Sequence, residues 1–442
     1  MTPQENQFLC QVGPSTPMGE VMRRYWLPFA LSSDLPHADC DPIRVRHCGQ
    51  DLVAFRDTDG KVGLLEEYCM HRGVSLAVGR VEDRGIRCLY HGWKFGADGT
   101  IQETPNHCDP RLRARLKAPA FKVHEEAGLL WAYMGPQDAM PPFRRFAFME
   151  VPDTHRTIFR IYQPANYLQL VEQGSDSSHV GILHSNDARP GWLTKSFSQN
   201  PDTLNPAAFA VEDNAPEMEL EDTKFGFHYA AFRQQGRGDG KIDKSREMHV
   251  RVYPFLMPTI RFIPAAKVLF TVFEVPIDDT NTATFIVIHG DAPANRPHLR
   301  KILGLDDARF WSEEDNFFKA NWSNKMGQDR AKLTSSWTGF PGVAYEDAVM
   351  GVAAGPIADR TKEHLVTADA AVVRVRRLLI EAAEAVAKGR MPRGADYADC
   401  TRLAAPDQMI EPGVHWKELV PQHTQDSPAP SAKADSQLAP TK

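Results

Sequence analysis

Cys69-Met70-His71 and Cys88-Leu89-Tyr90-His91 are two Cys/His pairs with sixteen residues, Arg72 to Arg87, between them, and no other feature restricts the fold of this chain as closely. Four soft and borderline ligands in two hairpin-sized clusters imply a metal centre. Two thiolates with two imidazoles suit either tetrahedral zinc or a [2Fe–2S] cluster in which one iron carries two His. The flanking residues separate the two. Each pair leads straight into a glycine, as His71-Arg72-Gly73 and His91-Gly92-Trp93, and a zinc knuckle has no need of the aromatic-rich second loop. A cluster does, because backbone N–H groups and aromatic cover tune its potential.

A chain of 442 residues has room for two or three domains, each with its own core. With 42% hydrophobic and 24% charged residues it reads as ordinary globular material. The net charge of −6 gives no reason to expect nucleic acid as a partner. No apolar run approaches the roughly 20 residues that span a bilayer. The start, Met1 to Gln7, lacks a cationic segment leading into an apolar one, so a cytoplasmic location without membrane contact is expected. Seven cysteines, Cys10, Cys40, Cys48, Cys69, Cys88, Cys108 and Cys400, form no regular disulfide framework. The five outside the two pairs read as inert thiols.

Periodicity divides the chain into an N-terminal helical segment (1–40), a small β domain (41–142), an α+β region (143–420) and a tail (421–442) whose Pro, Ser, Ala, Gln and Lys content predicts disorder. Met18 to Leu27 has the spacing of a short amphipathic helix. Asp57-Thr58-Asp59-Gly60 and Gly96-Ala97-Asp98-Gly99 have the composition of hairpin turns, and Gly128 to Met134 that of a buried strand. Glu217–Phe232, His249–Ile263 and Val268–Ile288 carry β-branched and aromatic runs fit for a large antiparallel sheet. Asp369 to Lys388 repeats apolar residues at helical spacing up to Gly389.

A second constellation lies at Glu172-Gln173-Gly174-Ser175-Asp176-Ser177-Ser178-His179, continuing to His184. Residues five apart on a helix diverge by more than one turn, so a bulge or a helix end is needed for both imidazoles to face one ion. Two His with a carboxylate and open positions form the arrangement for a non-haem Fe(II) that activates O₂. By itself the pair could be a polar helix end. Beside the upstream Cys/His loops it reads as a metal site.

With its C-x-H and C-x-x-H pairs and the Gly-Trp after the second, the chain resembles the Rieske ring-hydroxylating oxygenases. Neither loop has the additional Cys of high-potential respiratory Rieske proteins. Glu172, Asp176, His179 and His184 match the family's Asp/Glu-x3-Asp-x2-His-x4-His motif. The resemblance implies that Cys69, His71, Cys88 and His91 hold the [2Fe–2S] cluster, and that His179, His184 and a distant carboxylate hold mononuclear Fe(II). Tyr345-Glu346-Asp347-Ala348-Val349-Met350 offers the best match for that carboxylate; Asp347 is preferred to Glu346, with Asp307, Asp315 and Asp329 as weaker candidates. It further implies a catalytic role for Asp176, bridging His91 of one subunit and His179 of another. The plain alternative is an Asp that only orients His179.

Met18-Gly19-Glu20, Arg24-Tyr25-Trp26-Leu27-Pro28 and Gly355-Pro356-Ile357-Ala358-Asp359-Arg360-Thr361 are similar to the phthalate 4,5-dioxygenase branch of the family. That likeness implies an α+β protein: a small antiparallel Rieske domain plus a helix-grip catalytic domain with a curved antiparallel sheet, assembled as a homotrimer or as paired trimers. It also implies an aromatic carboxylate and O₂ as substrates, converted to a cis-dihydrodiol. A pocket for a carboxylate needs a cation, preferably Arg, and Arg233, Arg251 and Arg261 fall on predicted strands. An outward-facing strand Arg is the alternative for each. His107, His228 and His289 have no ligand-spaced partners and read as core or surface residues. No G-x-G-x-x-G or P-loop is present, so this chain is not expected to bind NADH and a separate reductase must deliver the electrons, which the resemblance implies is an NADH-dependent flavin/ferredoxin-type reductase. Two other functions are compatible with these residues: O-demethylation or aryl-ether cleavage of an aromatic acid, and, from another class, a Rieske electron carrier.

Overall fold

The structure is a computed structural model, and it describes residues 1–186, 213–237, 240–265, 268–312 and 317–421. Asp315 and nearly all of the tail expected to be disordered lie outside the described residues.

Ten short strands build the first half: β1 (Leu27–Leu31), β2 (Ile43–His47), β3 (Gln50–Arg56), β4 (Val62–Glu66), β5 (Arg80–Glu82), β6 (Gly85–Arg87), β7 (Lys94–Phe95), β8 (Ile101–Glu103), β9 (Ala120–Glu126) and β10 (Leu129–Tyr133). Six of them form one sheet in the order β1-β10-β9-β4-β3-β2, and β5 to β8 form a second, four-stranded sheet, with the short helix α3 (Pro110–Arg115) between β8 and β9. Both expected turns are present: Gly60 closes β3–β4 and Gly99 closes β7–β8, each with φ above +80°. A glycine is suited to both because a side chain rarely adopts that left-handed backbone.

The helix expected over Met18–Leu27 is shorter. It spans Pro17–Met22 (α2), after α1 (Pro3–Cys10), and Leu27–Leu31 is already strand β1. Pro28 explains the change: the residue before a proline is driven to extended backbone, and the missing N–H is tolerated at the sheet edge that β1 occupies. Helix α1 escaped the sequence reading although Thr2 and Glu5 form a capping box, a signal legible in Thr2-Pro3-Gln4-Glu5.

The second half begins with β11 (Arg145–Phe146) and contains an eight-stranded sheet: β12 (Arg156–Gln163), β13 (Glu217–Asp222), β14 (Gly226–Arg233), β15 (Met248–Leu256), β16 (Ile260–Ala265), β17 (Val268–Pro276) and β18 (Thr282–Gly290), in the order β12-β18-β17-β16-β15-β14-β13. β11 pairs with β19 (Asp399–Cys400), and β20 (Asp407–Ile410) completes the large sheet by pairing with the start of β15. Alternate residues feed different cores. Phe227, Tyr229 and Ala231 face helix α8 (Ala370–Ala387), together with α1, α2 and α4 (Tyr167–Gly174). Phe270, Val272, Ile286 and Ile288 face α6 (Arg296–Ile302) and α7 (Val343–Ala353). The opposite face, with Phe273, Val275, Phe285 and Val287, packs on the small β domain through Trp26, Leu129, Trp131 and Tyr133. A sheet covered on both faces explains why its strands read as continuous apolar runs. α8 is the expected helix, built of strong helix formers and ended by Gly389 at φ +68°.

Trp131 of β10 joins the halves: it is fully buried, stacks 6.0 Å from Phe146 and meets Phe273 edge-on at 5.3 Å. Replacing it with Ala is expected to cost about 3–5 kcal/mol. Denaturant unfolding checks this, and a loss below about 1 kcal/mol would show that the indole carries little of the junction.

Candidate metal centres and cavity

The two Cys/His loops are built alike. The carbonyl of Cys69 accepts the N–H of Gly73 (2.8 Å), and that of Cys88 accepts the N–H of Gly92 (3.0 Å), while the two glycines take φ of +71° and +75°. Each turn is therefore closed by the backbone carbonyl of its own cysteine. His71 stacks on Trp93 with ring centres 4.7 Å apart and lies 4.6 Å from the ring of His91. Trp93 is held by its indole N–H donating to Asn106 (2.8 Å). Cys69 and Cys88 are buried free thiols. Burial pushes Cys69 up to about 11, opposed by the backbone N–H groups of His71 and Arg72. Nδ1 of His91 is buried without a hydrogen-bond partner among the described residues. Two buried thiols, that of Cys69 faced by backbone amides, beside an unsatisfied imidazole nitrogen fit an iron–sulfur cluster.

Helix α4 ends at Gly174, and one helical turn, α5 (Val180–Leu183), follows with His179 just before it and His184 just after it. The imidazoles thus occupy two helix ends, which meets the requirement that five-residue spacing imposes. Asp347 enters from α7. Among the described residues, His179, His184 and Asp347 form the only group of three or more potential ligands whose atoms lie within 4.8 Å of one another. Nε2 of His184 and of His179 stand 3.2 and 3.8 Å from the same oxygen of Asp347. Burial raises the Asp347 carboxyl, yet His184 and His179 outweigh it and hold the group below its ordinary value. Burial likewise disfavours charge on His184, but Asp347 and Glu346 override it and raise His184 to about 10. Glu346, weighed against Asp347 as a ligand, instead contacts Nδ1 of His184 at 2.7 Å. Asp176 contacts Nδ1 of His179 at 3.3 Å.

These groups open into a cavity of about 130 Å³ walled by Val180, Ile263, Phe270, Val272 and Ile286, with Arg251 and Arg261 as its cations. An apolar cavity of roughly 150 Å³ is enough for one benzene ring. Arg251 is held by Asp407 (3.1 Å) and by donation to the Pro264 carbonyl (2.7 Å), while its Nη1 has no hydrogen-bond partner among the described residues. Arg261 pairs with Glu274 (2.6 Å) and lies flat against Gly174, where a Cβ would come within 2.1 Å of its Nε. Arg233 corrects the sequence expectation: it is absent from the cavity wall. Its guanidinium is fully buried and donates to the carbonyl and hydroxyl of Ser177 and to the Asp213 carbonyl.

Glu172 matches the motif but is no ligand; it binds Arg360 and Arg376, a pairing that only the tertiary structure shows. Asp307 and Asp329 pair with Arg309 and Lys332. His228 and His289 are buried, and burial lowers both to about 4.

Residues 25–117 match the Rieske [2Fe-2S] domain family, and residues 132–439 match the LigXa C-terminal domain like family. The chain is 37% identical to the phthalate 4,5-dioxygenase oxygenase subunit of Pseudomonas putida, over 95% of this chain and 94% of the relative. It is 28% identical to the 5,5'-dehydrodivanillate O-demethylase oxygenase subunit of a Sphingobium species, over 89% and 83%. Among solved structures it is similar in fold to the Pseudomonas putida CBB5 NdmA QL mutant with caffeine, at 18% identity and a TM-score of 0.56, over 86% of this chain and 97% of the other.

A metal ion must displace the proton that His184 carries below about pH 10. Iron(II) uptake by the apoprotein, titrated between pH 6 and 8, is expected to strengthen by roughly tenfold per pH unit, as release of one proton requires. A flat profile would show that His184 is not displaced.

Proposed function

We propose, from the premise that the chain belongs to the Rieske non-haem iron oxygenases, that it is the terminal component of a system inserting both atoms of O₂ into an aromatic carboxylate of the phthalate type to give a cis-dihydrodiol. The carrying observation is the cavity, where an apolar slot of ring size has two arginines on its wall and His179, His184 and Asp347 on its lining. The family's cofactors are a [2Fe–2S] cluster and mononuclear iron. When bound, the cluster supplies single electrons and the iron supplies O₂ activation.

The protein's own groups then have distinct tasks. Cys69, His71, Cys88 and His91 hold the cluster, and His179, His184 and Asp347 hold the iron. The free Nη1 of Arg251 donates to the substrate carboxylate, and Arg261 adds a second positive charge. The apolar wall holds the ring and keeps water away. Asp176 accepts from His179 and, with its side chain 22% exposed, can also accept from His91 of a neighbouring subunit. Exposed apolar residues surround both ends of that relay: Tyr68, Met70, Leu89 and Tyr90 around the Cys/His loops, and Ile182 and Met350 on α5 and α7. This favours a trimer or paired trimers in which one subunit's loops cover the next subunit's iron site. Electrons enter from a separate reductase. No helix among the described residues is long and apolar enough to cross a membrane.

The O-demethylase relative favours one second reading, removal of an O-methyl group from an aromatic acid held by the same arginines. Reduced enzyme supplied with phthalate and methoxybenzoates under labelled O₂ separates the two, since a doubly labelled dihydrodiol supports the first and formaldehyde with a phenol the second. Turnover of neither acid class would refute both.

Arg251→Met should raise KM for the acid by about 10–100-fold, the value of one charged hydrogen bond, with the iron content unchanged. Asp176→Asn should leave the cluster spectrum intact but slow its single-turnover oxidation by O₂ with substrate bound; an unchanged rate would show that Asp176 is no bridge.

A further inference from the structure

Each imidazole of the iron site turns Nδ1 to a carboxylate and Nε2 to Asp347, yet the two carboxylates differ in their surroundings. Asp176, on His179, is partly exposed, whereas Glu346, on His184, has no exposed surface. A buried carboxylate is costly unless its oxygens are bonded. Both are. Oε2 receives His184 Nδ1–H at 2.7 Å, and Oε1 receives the Thr338 hydroxyl. The direction of the second bond is set by the backbone, because the Thr338 oxygen itself accepts the N–H of Phe340 (3.2 Å), leaving its hydrogen for Glu346. The chain of donors therefore ends on Glu346 from both sides. That leaves the neutral imidazole of His184 one arrangement, hydrogen on Nδ1 and lone pair on Nε2. Consecutive positions on α7 point roughly 100° apart, so Asp347 reaches the metal side while Glu346 passes behind His184.

We propose that Glu346, braced by Thr338, is a positioning residue that fixes the tautomer and raises the basicity of His184, and so sets the affinity of the mononuclear site for iron. This rests on His179, His184 and Asp347 being the iron ligands. Glu346 has no route to solvent, so its role is separate from the relay assigned to Asp176.

The test compares Fe(II) dissociation constants of holoprotein stripped of mononuclear iron and retitrated, with the visible cluster spectrum as the control for folding. Glu346→Met keeps the length of the side chain but removes the acceptor, and should weaken Fe(II) binding by about 10–100-fold. Glu346→Gln keeps an amide oxygen for His184 and an N–H for Thr338, and should lose less than about tenfold. Co(II) loaded into Glu346→Gln should show shifted d–d bands, because the imidazole's partner changes from anion to amide. Fe(II) affinity of E346M equal to that of the unsubstituted protein would overturn the proposal, as would equal losses in E346M and E346Q. Should E346M fail to assemble the cluster, unchanged Co(II) bands in E346Q would overturn it instead. Asp347→Ala separates the two levels of the reading: if it binds iron normally, the ligand assignment itself fails; if it loses iron while E346M does not, only the role of Glu346 fails.

Discussion

The carboxylate of Glu172, mostly covered, binds Arg360 at 2.8 Å and Arg376 at 2.6 Å, and this contact anchors the end of α4 that leads into His179 and His184. Glu172 lies on the last turn of α4, four residues before Asp176, while Arg376 belongs to the long helix α8 and Arg360 to the turn ahead of it. Arg360 also reaches Asn6 and Cys10 of α1, and Arg376 reaches Glu363. Directly or through these arginines, one acid thus ties three segments from both ends of the chain, α1, the turn from Arg360 to Glu363 and α8, to the residue run that carries His179 and His184. Removing one partner of such a buried network strands the others in low dielectric, where an unpaired charge costs several kcal/mol. The Gly355–Thr361 motif stands close to this site in space because it supplies that arginine.

Above this anchor the site separates two demands that one carboxylate could not meet. On the proposed reading, a metal ligand is held rigidly while a relay communicates with the outside. His184 is braced by a buried acid, and His179 by a partly exposed one. The arginines show a similar division. Glu274 and Asp407 hold Arg261 and Arg251 in place, so the cavity has cationic walls without loose side chains. Gly174 completes the arrangement by giving the Arg261 guanidinium room against the end of α4.

Much of this was legible in the residues because it is local. The Cys/His loops need only a few neighbours, the turns at Gly60 and Gly99 need only a left-handed backbone, and α8 needs only its period. The five-residue spacing of His179 and His184 already called for a bulge or a helix end, and α5 supplies a helix end at each side. Arg233 shows where locality stops. It shares a sheet face with Arg251, since Arg233 is opposite His249 and Ala231 opposite Arg251 in the β14–β15 register. Period two reports the face but not how far along the strand the cavity extends, and Arg233 lies beyond its wall, bound to Ser177.

The amino-acid sequence by itself determined which atoms are available as ligands and the two-part α+β organisation, because soft-ligand spacing and apolar periodicity are properties of neighbouring residues. Tertiary structure alone decided that Asp347 faces the imidazoles while Glu346 lies behind one of them, that two of three arginines line the cavity, and that Glu172 is an anchor. The reason is physical. Adjacent acids on a helix are chemically alike until packing gives one of them a view of the metal side and buries the other.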